Sequence, residues 1–165
     1  DNVEQSRFVK FRKLYELLGE ELTPEKERAQ CARYADYTLA AVREAPFVAG
    51  AREFLAGWRG APLRVISGTP QAELEETIRV RGLTAYFAAV YGAPPDKHAW
   101  FARLLPELAF DAARCVMVGD APGDYRAAAA VGIYFIGRVP AGKRNPFPAG
   151  VPVIPDLTQL ANKLQ

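Results

Sequence analysis

Histidine and cysteine are scarce in this sequence, and their scarcity excludes several kinds of site. Histidine occurs once, at His98, so a metal centre built on several histidines is excluded. Cys31 and Cys115 lie far apart in the chain, which argues against a disulfide framework and against a cysteine metal site. We therefore expect both cysteines to be small core residues of a reduced, cytoplasmic protein.

Long apolar runs and an excess of one charge are missing as well. No segment approaches the roughly 18 apolar residues that a membrane helix needs, and no signal-peptide pattern opens the chain. The 21 basic and 19 acidic residues are mixed along the chain, with a formal net charge of +2. This balance favours neither nucleic acid nor a membrane as a partner. We expect a soluble protein with one core and a small appended unit.

The first part of the chain has the pattern of a helical unit. Apolar residues at helical spacing predict an amphipathic helix over residues 3–19. The pair Thr23 and Pro24 matches an N-cap followed by a first helical residue, which predicts a second helix. The periodicity then breaks at a proline- and glycine-containing stretch. We place the domain boundary there, between a helical unit (1–45) and a larger unit (46–165).

After residue 60, short apolar runs alternate with helical patterns. This alternation predicts an α/β fold, with a parallel, doubly wound, Rossmann-like sheet and helices on both faces. We also expect Thr69 to cap a helix that begins at Pro70. The predicted strands are 63–67, 86–91, 115–118, 133–136 and 151–154.

Polar residues stand at equivalent places around the predicted sheet. Ser67 and Asp120 each end a strand, and Lys97 starts a helix between them. Because the carboxyl ends of parallel strands meet at one edge, we expect these groups to lie together. Asp124 follows Asp120 by one helical turn, and paired carboxylates suit Mg²⁺. Gly68 lets a backbone N–H approach an anion, so the set is typical of phosphoryl transfer.

Each of these residues also has a plainer interpretation. Asp120 would simply cap the next helix, with Asp124 a solvated acid in its first turn. Ser67 and Thr69 would be ordinary turn residues. Lys97 would be a surface lysine, although a cation at a helix start opposes the helix dipole.

Taken in order, these segments resemble the haloacid dehalogenase-like (HAD) hydrolases, specifically the phosphoglycolate phosphatase-like branch with a helical cap. Residues 65–70 match the family's strand that ends in Ser or Thr, and Lys97 matches its downstream lysine. The segment from Gly119 to Asp124 matches its Gly-Asp-x-x-x-Asp strand end. The helices of residues 3–45 resemble its inserted cap.

The resemblance implies a Mg²⁺-dependent phosphatase that acts on a small phosphorylated metabolite through an aspartyl-phosphate intermediate. In that scheme Ser67, Gly68 and Lys97 bind and stabilise the phosphoryl group. The metal would be held by Asp120 and Asp124. Phosphoglycolate, a sugar phosphate and a nucleotide all stay open as substrates.

One motif of the family is absent from these 165 residues. The family's first core strand carries Asp-x-Asp, with the nucleophile and the general acid/base, and no Asp-x-Asp occurs here. Asp1-Asn2 resembles the dipeptide that follows this strand. We therefore expect the core to lack its first strand, the chain as given to be inactive, and its exposed sheet edges to make it unstable, rearranged or self-associated.

Two other classes of function are weighed against the phosphatase. A non-catalytic protein with the same fold would lack the nucleophile and bind an anion or a protein partner. A receiver domain of the response-regulator kind shares strand-end acids and a lysine. The order of Ser67 and Lys97 and the preceding helical unit fit that domain poorly.

Overall fold

The computed structural model of the chain describes residues 7–164. The predicted order of helices and strands is confirmed over this range, while the predicted helix start at residue 3 and the Asp1-Asn2 match lie outside it. Short turns of 3-10 helix occur at Thr84–Tyr86 and Ala112–Arg114. The regular elements are α1 (Arg7–Leu18), α2 (Pro24–Glu44), α3 (Ala51–Gly57), β1 (Arg64–Pro70), α4 (Gln71–Val80), β2 (Ala89–Ala93), α5 (Lys97–Glu107), β3 (Val116–Gly119), α6 (Pro122–Ala130), β4 (Tyr134–Arg138), β5 (Val153–Ile154) and α7 (Leu160–Lys163).

The first two helices pack against each other as a pair. Thr23 is the N-cap of α2, where its hydroxyl accepts a hydrogen bond from the Lys26 N–H at 3.3 Å, and Pro24 is the first helical residue. This satisfies one of the unpaired N–H groups of the first turn, as the sequence predicts. Phe11 meets Tyr34 edge-on across the pair, with 6.1 Å between ring centroids.

The helical pair is attached to α4. Arg7 donates two hydrogen bonds to the Glu73 carboxylate, at 2.8 and 2.6 Å, which is the bidentate geometry that Arg and a carboxylate favour. Arg81 donates to the carbonyls of Val42 and Arg43 near the carboxyl end of α2, where a cation complements the helix dipole. These contacts fix the pair on one side of the larger unit.

The strands form two parallel sheets, one of order β1-β2 and one of order β3-β4-β5. The parallel α/β class is therefore confirmed, but a single continuous sheet is not found in the described residues. The physical reason is that no described strand lies between β1 and β3, so each of them pairs on one side only. Val116 and Val118 of β3 are 46% and 36% exposed.

Helices cover both faces of the larger sheet, as the sequence predicts. Phe135 and Ile136 are successive residues of β4 and point to opposite faces, as strand geometry requires. Phe135 packs in a cluster with residues of α5 and α6, and Ile136 packs with residues of α3 and α7. Ile66 of β1 and Met117 of β3 contact the same cluster as Phe135, so both sheets rest on one core.

Several boundaries differ from the predicted ones: the strand predicted to end at Ser67 continues to Pro70, and the last strand is only Val153–Ile154. Pro70 is the N-cap of α4 and the helix begins at Gln71, without a side-chain cap, so the predicted Thr69 cap is wrong. The reason is that Thr69 remains in an irregular stretch of β1. The strand predicted over 86–91 begins only at Ala89, because Thr84–Tyr86 is a turn of 3-10 helix. Within the described range, no helix is both long and apolar enough to cross a membrane.

Candidate active site

The chemistry-bearing side chains lie at the carboxyl ends of β1 and β3 and in the first turns of α5 and α6. Lys97 is the first residue of α5, and its ammonium donates a hydrogen bond to Oδ1 of Asp124, in the first turn of α6. Asp124 is only 4% exposed, whereas the Lys97 side chain keeps 27% of its surface. A buried carboxylate thus holds the ammonium of a lysine whose side chain is partly exposed.

The other carboxylate oxygen of Asp124 faces the backbone. Oδ2 accepts from the N–H groups of Asp120 and Ala121, both at 3.1 Å. The Asp120–Ala121 segment enters α6, so Asp124 satisfies N–H groups that the helix itself leaves unpaired. Asp124 is therefore neither the solvated acid of the plainer interpretation nor a group with two free oxygens.

Gly119 is what allows Asp124 to fold back in this way. A Cβ on Gly119 would lie 2.5 Å from Cβ and 2.6 Å from Oδ2 of Asp124, well inside van der Waals contact. The glycine that precedes Asp120 thus has a packing role as well as a place in the motif.

Asp120 lies directly after β3 and is exposed. Among residues 7–164 its carboxylate has no hydrogen-bonding partner, and it does not cap α6: Ala121 is the N-cap residue, and the carboxylate that accepts from the cap backbone belongs to Asp124. The capping interpretation of Asp120 is therefore wrong. Its carboxylate stays available to a ligand at the carboxyl end of β3.

Ser67, Gly68 and Thr69 form an irregular stretch of β1 at the same end of the strands. The Ser67 hydroxyl accepts from the Thr69 N–H and donates to the Thr69 hydroxyl, both at 3.1 Å, which closes a local turn. Gly68 is exposed, and a Cβ placed on it would meet no atom within 4 Å. In the described part of the chain, no hydrogen bond joins Ser67 or Gly68 to Lys97 or Asp124, although α5 packs against β1.

The start of α5 is built by local interactions that present Lys97. Asp96 is the N-cap, and its carboxylate accepts from the Ala99 N–H at 2.8 Å. This acid also offsets the cost of a cation at the positive end of a helix. Sequence reasoning did not single out Asp96, although an aspartate just before a helical pattern is an N-cap signal.

The two carboxylates of this site fit Mg²⁺, which usually binds through one or two carboxylates and keeps several waters. Asp120 is exposed and unpaired among the described residues, so it fits a direct ligand. Both oxygens of Asp124 already accept hydrogen bonds, which suits contact through water better than direct ligation. No group of three or more His, Cys, Asp or Glu side chains that could enclose a metal occurs in residues 7–164.

The remaining candidate nucleophiles and cations are exposed side chains or cysteines that are not activated. His98, Lys143 and Arg144 are exposed. Both cysteines are free, and desolvation by burial raises the pKa of the Cys31 and Cys115 thiols. A raised pKa keeps the thiol protonated at neutral pH, so neither cysteine is an activated nucleophile.

Comparison with known proteins gives a consistent class. A model of the haloacid dehalogenase-like hydrolases matches residues 2–132. No curated protein sequence matches the chain.

Several solved structures share the fold. A predicted phosphoglycolate phosphatase from Haemophilus somnus 129pt is 19% identical with a TM-score of 0.74, over 92% of this chain and 72% of that one. CbbY from Rhodobacter sphaeroides, solved with phosphate, is 19% identical with a TM-score of 0.69, over 85% and 68%. A 2-haloacid dehalogenase from Pseudomonas syringae pv. Tomato DC3000 is 23% identical with a TM-score of 0.63, over 87% and 64%. At these identities the likeness establishes the fold.

Proposed function

The chain belongs to the haloacid dehalogenase-like hydrolases, and we propose that the intact protein is a Mg²⁺-dependent phosphatase of small organic phosphomonoesters. The observation that carries this proposal is the pairing of Lys97 with the buried carboxylate of Asp124, next to the exposed carboxylate of Asp120. An ammonium held by a buried acid beside an unpaired acid suits a doubly charged phosphoryl group and a counter-cation. A 2-haloacid has one carboxylate and needs no metal counter-cation.

Each site residue has a proposed role. Lys97 neutralises the phosphoryl oxygens, and the Ser67 hydroxyl with the Gly68 N–H donates hydrogen bonds to them. Asp120 holds Mg²⁺ directly and Asp124 holds it through water. When bound, the metal stabilises the charge that develops on the phosphoryl oxygens.

The proposed reaction is covalent. One aspartate of an Asp-x-Asp pair attacks phosphorus, the ester P–O bond breaks, and the leaving alcohol takes its proton from the second aspartate. That aspartate then accepts a proton from the water that hydrolyses the aspartyl-phosphate to phosphate and free carboxylate. The attacking aspartate belongs to an Asp-x-Asp pair that these 165 residues do not contain. We propose that the chain as given is therefore inactive and that activity requires this pair.

A second candidate follows from the same absence. A HAD-like protein that truly lacks the nucleophile would bind an anion or a protein partner without turnover. The codons upstream of Asp1 discriminate the two: Asp-x-Asp encoded there favours the enzyme, and a start codon close to Asp1 favours the binder.

The test is a substrate screen on the full-length gene product. The panel is phosphoglycolate, sugar phosphates, nucleotides and a 2-haloacid, each with Mg²⁺ and with EDTA. We expect phosphate release that EDTA abolishes and that Mg²⁺ restores. Halide release from the 2-haloacid with no phosphate release, or turnover of phosphomonoesters unaffected by EDTA, would contradict the proposal.

We also propose that the chain divides into a helical cap (1–45) and a core (46–165). In this division the α1–α2 pair is the cap and faces the substrate. Two contacts support a compact helical pair that packs on α4: the Arg7–Glu73 ion pair and the hydrogen bonds from Arg81.

The free state of both cysteines supports a reducing, cytoplasmic setting. The one-sided pairing of β1 and β3 supports self-association through sheet edges.

A further inference from the structure

Gly92, in β2, has both of its backbone polar groups held by side chains. Its N–H donates to Oε1 of Gln71, and its carbonyl accepts from Nε1 of Trp100 at 2.8 Å. Gly92 is buried, so neither group has water as an alternative partner. Gln71 is the first residue of α4 and Trp100 lies in α5, so this one peptide joins three elements.

The irregularity of β1 explains why Gly92 needs these partners. Ile66 pairs with Tyr91 and Pro70 with Ala93, so Ser67, Gly68 and Thr69 all stand opposite Gly92 alone. Such an excess of residues takes a strand out of its hydrogen-bond ladder.

The lost ladder bonds are those on the side of β2 that faces β1. Ala88 donates its N–H to the Leu63 carbonyl, and alternate residues of a strand present their polar groups to the same side. The N–H and C=O of Gly92 therefore point towards β1 where β1 has left the ladder. Gln71 and Trp100 replace the missing partners.

Gly92 packs closely against Gln71. A Cβ on Gly92 would lie 2.5 Å from Cα of Gln71 and 2.7 Å from the Thr69 carbonyl oxygen. The Gln71 amide also donates to the Val90 carbonyl at 3.0 Å, so it spans two alternate residues of β2. Gln71, which lies two residues after the irregular stretch of β1, thus binds β2.

Trp100 connects the same peptide to the lysine of the site. Lys97 and Trp100 are three residues apart in α5 and so lie on the same side of its first turns. The Trp100 ring also packs on Tyr91, with 4.8 Å between centroids. The bond from Trp100 to Gly92 therefore closes the loop of residues 93–96 and fixes the end of α5 that carries Lys97.

We propose that Gln71 and Trp100 are positioning residues that act through the Gly92 peptide: Gln71 holds the Ser67–Thr69 stretch, and Trp100 holds Lys97. They touch no substrate in this scheme and act through the groups that do. The catalytic consequence rests on the proposed phosphatase function; the structural claim does not. The two are therefore tested by separate measurements.

The first measurement is amide hydrogen exchange in the full-length protein, with a matched pair of variants. Trp100→Phe keeps an aromatic ring next to Tyr91 and removes the indole donor. Trp58→Phe is the control, because Nε1 of Trp58 likewise donates to a backbone carbonyl, that of Ala61, at 2.8 Å. We expect Trp100→Phe to speed exchange about three- to tenfold in residues 92–100.

The control variant, Trp58→Phe, is expected to leave hydrogen exchange in residues 92–100 unchanged and to speed exchange near Ala61 instead. Should Trp100→Phe prove unstable, Gln71→Met removes the acceptor for the Gly92 N–H, and Gln71→Glu retains it. We then expect faster exchange at residues 92–100 in Gln71→Met than in Gln71→Glu. Unchanged exchange in Trp100→Phe, or in Gln71→Met where that variant replaces it, would overturn the proposal.

The second measurement is steady-state kinetics on the substrate found in the screen. We expect Trp100→Phe to lower kcat about ten- to a hundredfold with little change in KM, since a small misplacement of a catalytic group has effects of this size. Trp58→Phe is expected to match the wild type. In a Lys97→Ala background, Trp100→Phe should change kcat by less than about twofold, because its effect passes through Lys97.

The outcomes separate the two claims. If the full-length protein has no phosphatase activity, the proposed function fails, and the exchange experiment alone decides whether Gln71 and Trp100 hold this segment. If the protein is active and Trp100→Phe lowers kcat equally with and without Lys97, the positioning role is overturned while the function stands.

Discussion

Lys97 and Asp124, which are 27 residues apart in sequence, form an ion pair between the first turns of α5 and α6. The two partners differ in exposure: the Asp124 side chain is 6% exposed and that of Lys97 is 27% exposed. The pair therefore holds the ammonium end of Lys97 against a buried acid, while the rest of the lysine side chain stays partly exposed.

Removing either charge of this pair is the first prediction. Lys97→Ala is expected to lower kcat of the full-length enzyme about 10²–10³-fold, because one preformed contact to the phosphoryl oxygens is lost. Asp124→Asn is expected to lower kcat and also the free energy of unfolding, by about 1–3 kcal/mol, since it leaves a half-buried ammonium without its carboxylate. Kinetics and urea unfolding measure the two effects. Wild-type kcat in either variant would contradict the assignment.

The close approach of Gly119 and Asp124 gives the second prediction. Gly119→Ala places a methyl group against the Asp124 carboxylate, and we expect a loss of about 1–3 kcal/mol of stability together with reduced kcat. Gly57→Ala is the matched control: it lies at the end of α3 with no atom within 4 Å of the new Cβ, so it should be neutral or stabilising by up to about 1 kcal/mol. Equal effects in the two variants would argue against the packing role.

The attachment of the helical pair gives the third prediction. Glu73→Gln removes a carboxylate that Arg7, with an 11% exposed side chain, contacts through two hydrogen bonds. We expect a cost of about 1–2 kcal/mol in urea unfolding. Glu107→Gln is the control, because the Arg103–Glu107 pair is more than half exposed on both sides and should contribute at most about 0.5 kcal/mol. A similar cost for both substitutions would show that Arg7 and Glu73 do not hold the helices in solution.

The one-sided pairing of β3 gives the fourth prediction, on the 165-residue chain itself. We expect it to self-associate in light scattering coupled to gel filtration, because unpaired strand edges with exposed valines promote strand pairing between chains. Val118→Lys should shift the chain towards monomer by placing charge at that edge. Leu17→Lys adds the same charge to an 85% exposed residue of α1 and should have no effect. If the unmodified chain is a stable monomer, the prediction is wrong.

Features that depend on neighbouring residues could be read from the sequence. Thr23 and Pro24 start α2 as predicted, because an N-cap needs only its own side chain and the next turn. Apolar runs identify the strands because burial on both faces leaves a continuous apolar pattern. The same reasoning places Asp120 directly after β3, where the apolar run stops, whereas β1 continues past the predicted end at Ser67 to Pro70.

Features that depend on distant groups were beyond the sequence. The hydrogen bond from the Trp100 indole to Gly92 becomes evident only when β2 and α5 are seen together. The predicted Thr69 cap failed because the pairing of β1 with β2 extends to Pro70 and delays the helix. The division into two sheets likewise depends on which strands become neighbours.

The sequence by itself determined the α/β class, the order of elements and the residues at the strand ends, because these follow from local periodicity, capping and turn chemistry. The tertiary structure decided what those residues do to each other. It joined Lys97 to Asp124 and turned Asp124 inward over Gly119, while Asp120 stayed exposed. These choices follow from burial, because a buried polar group must find a partner and the nearest partner in space lies far away in the chain.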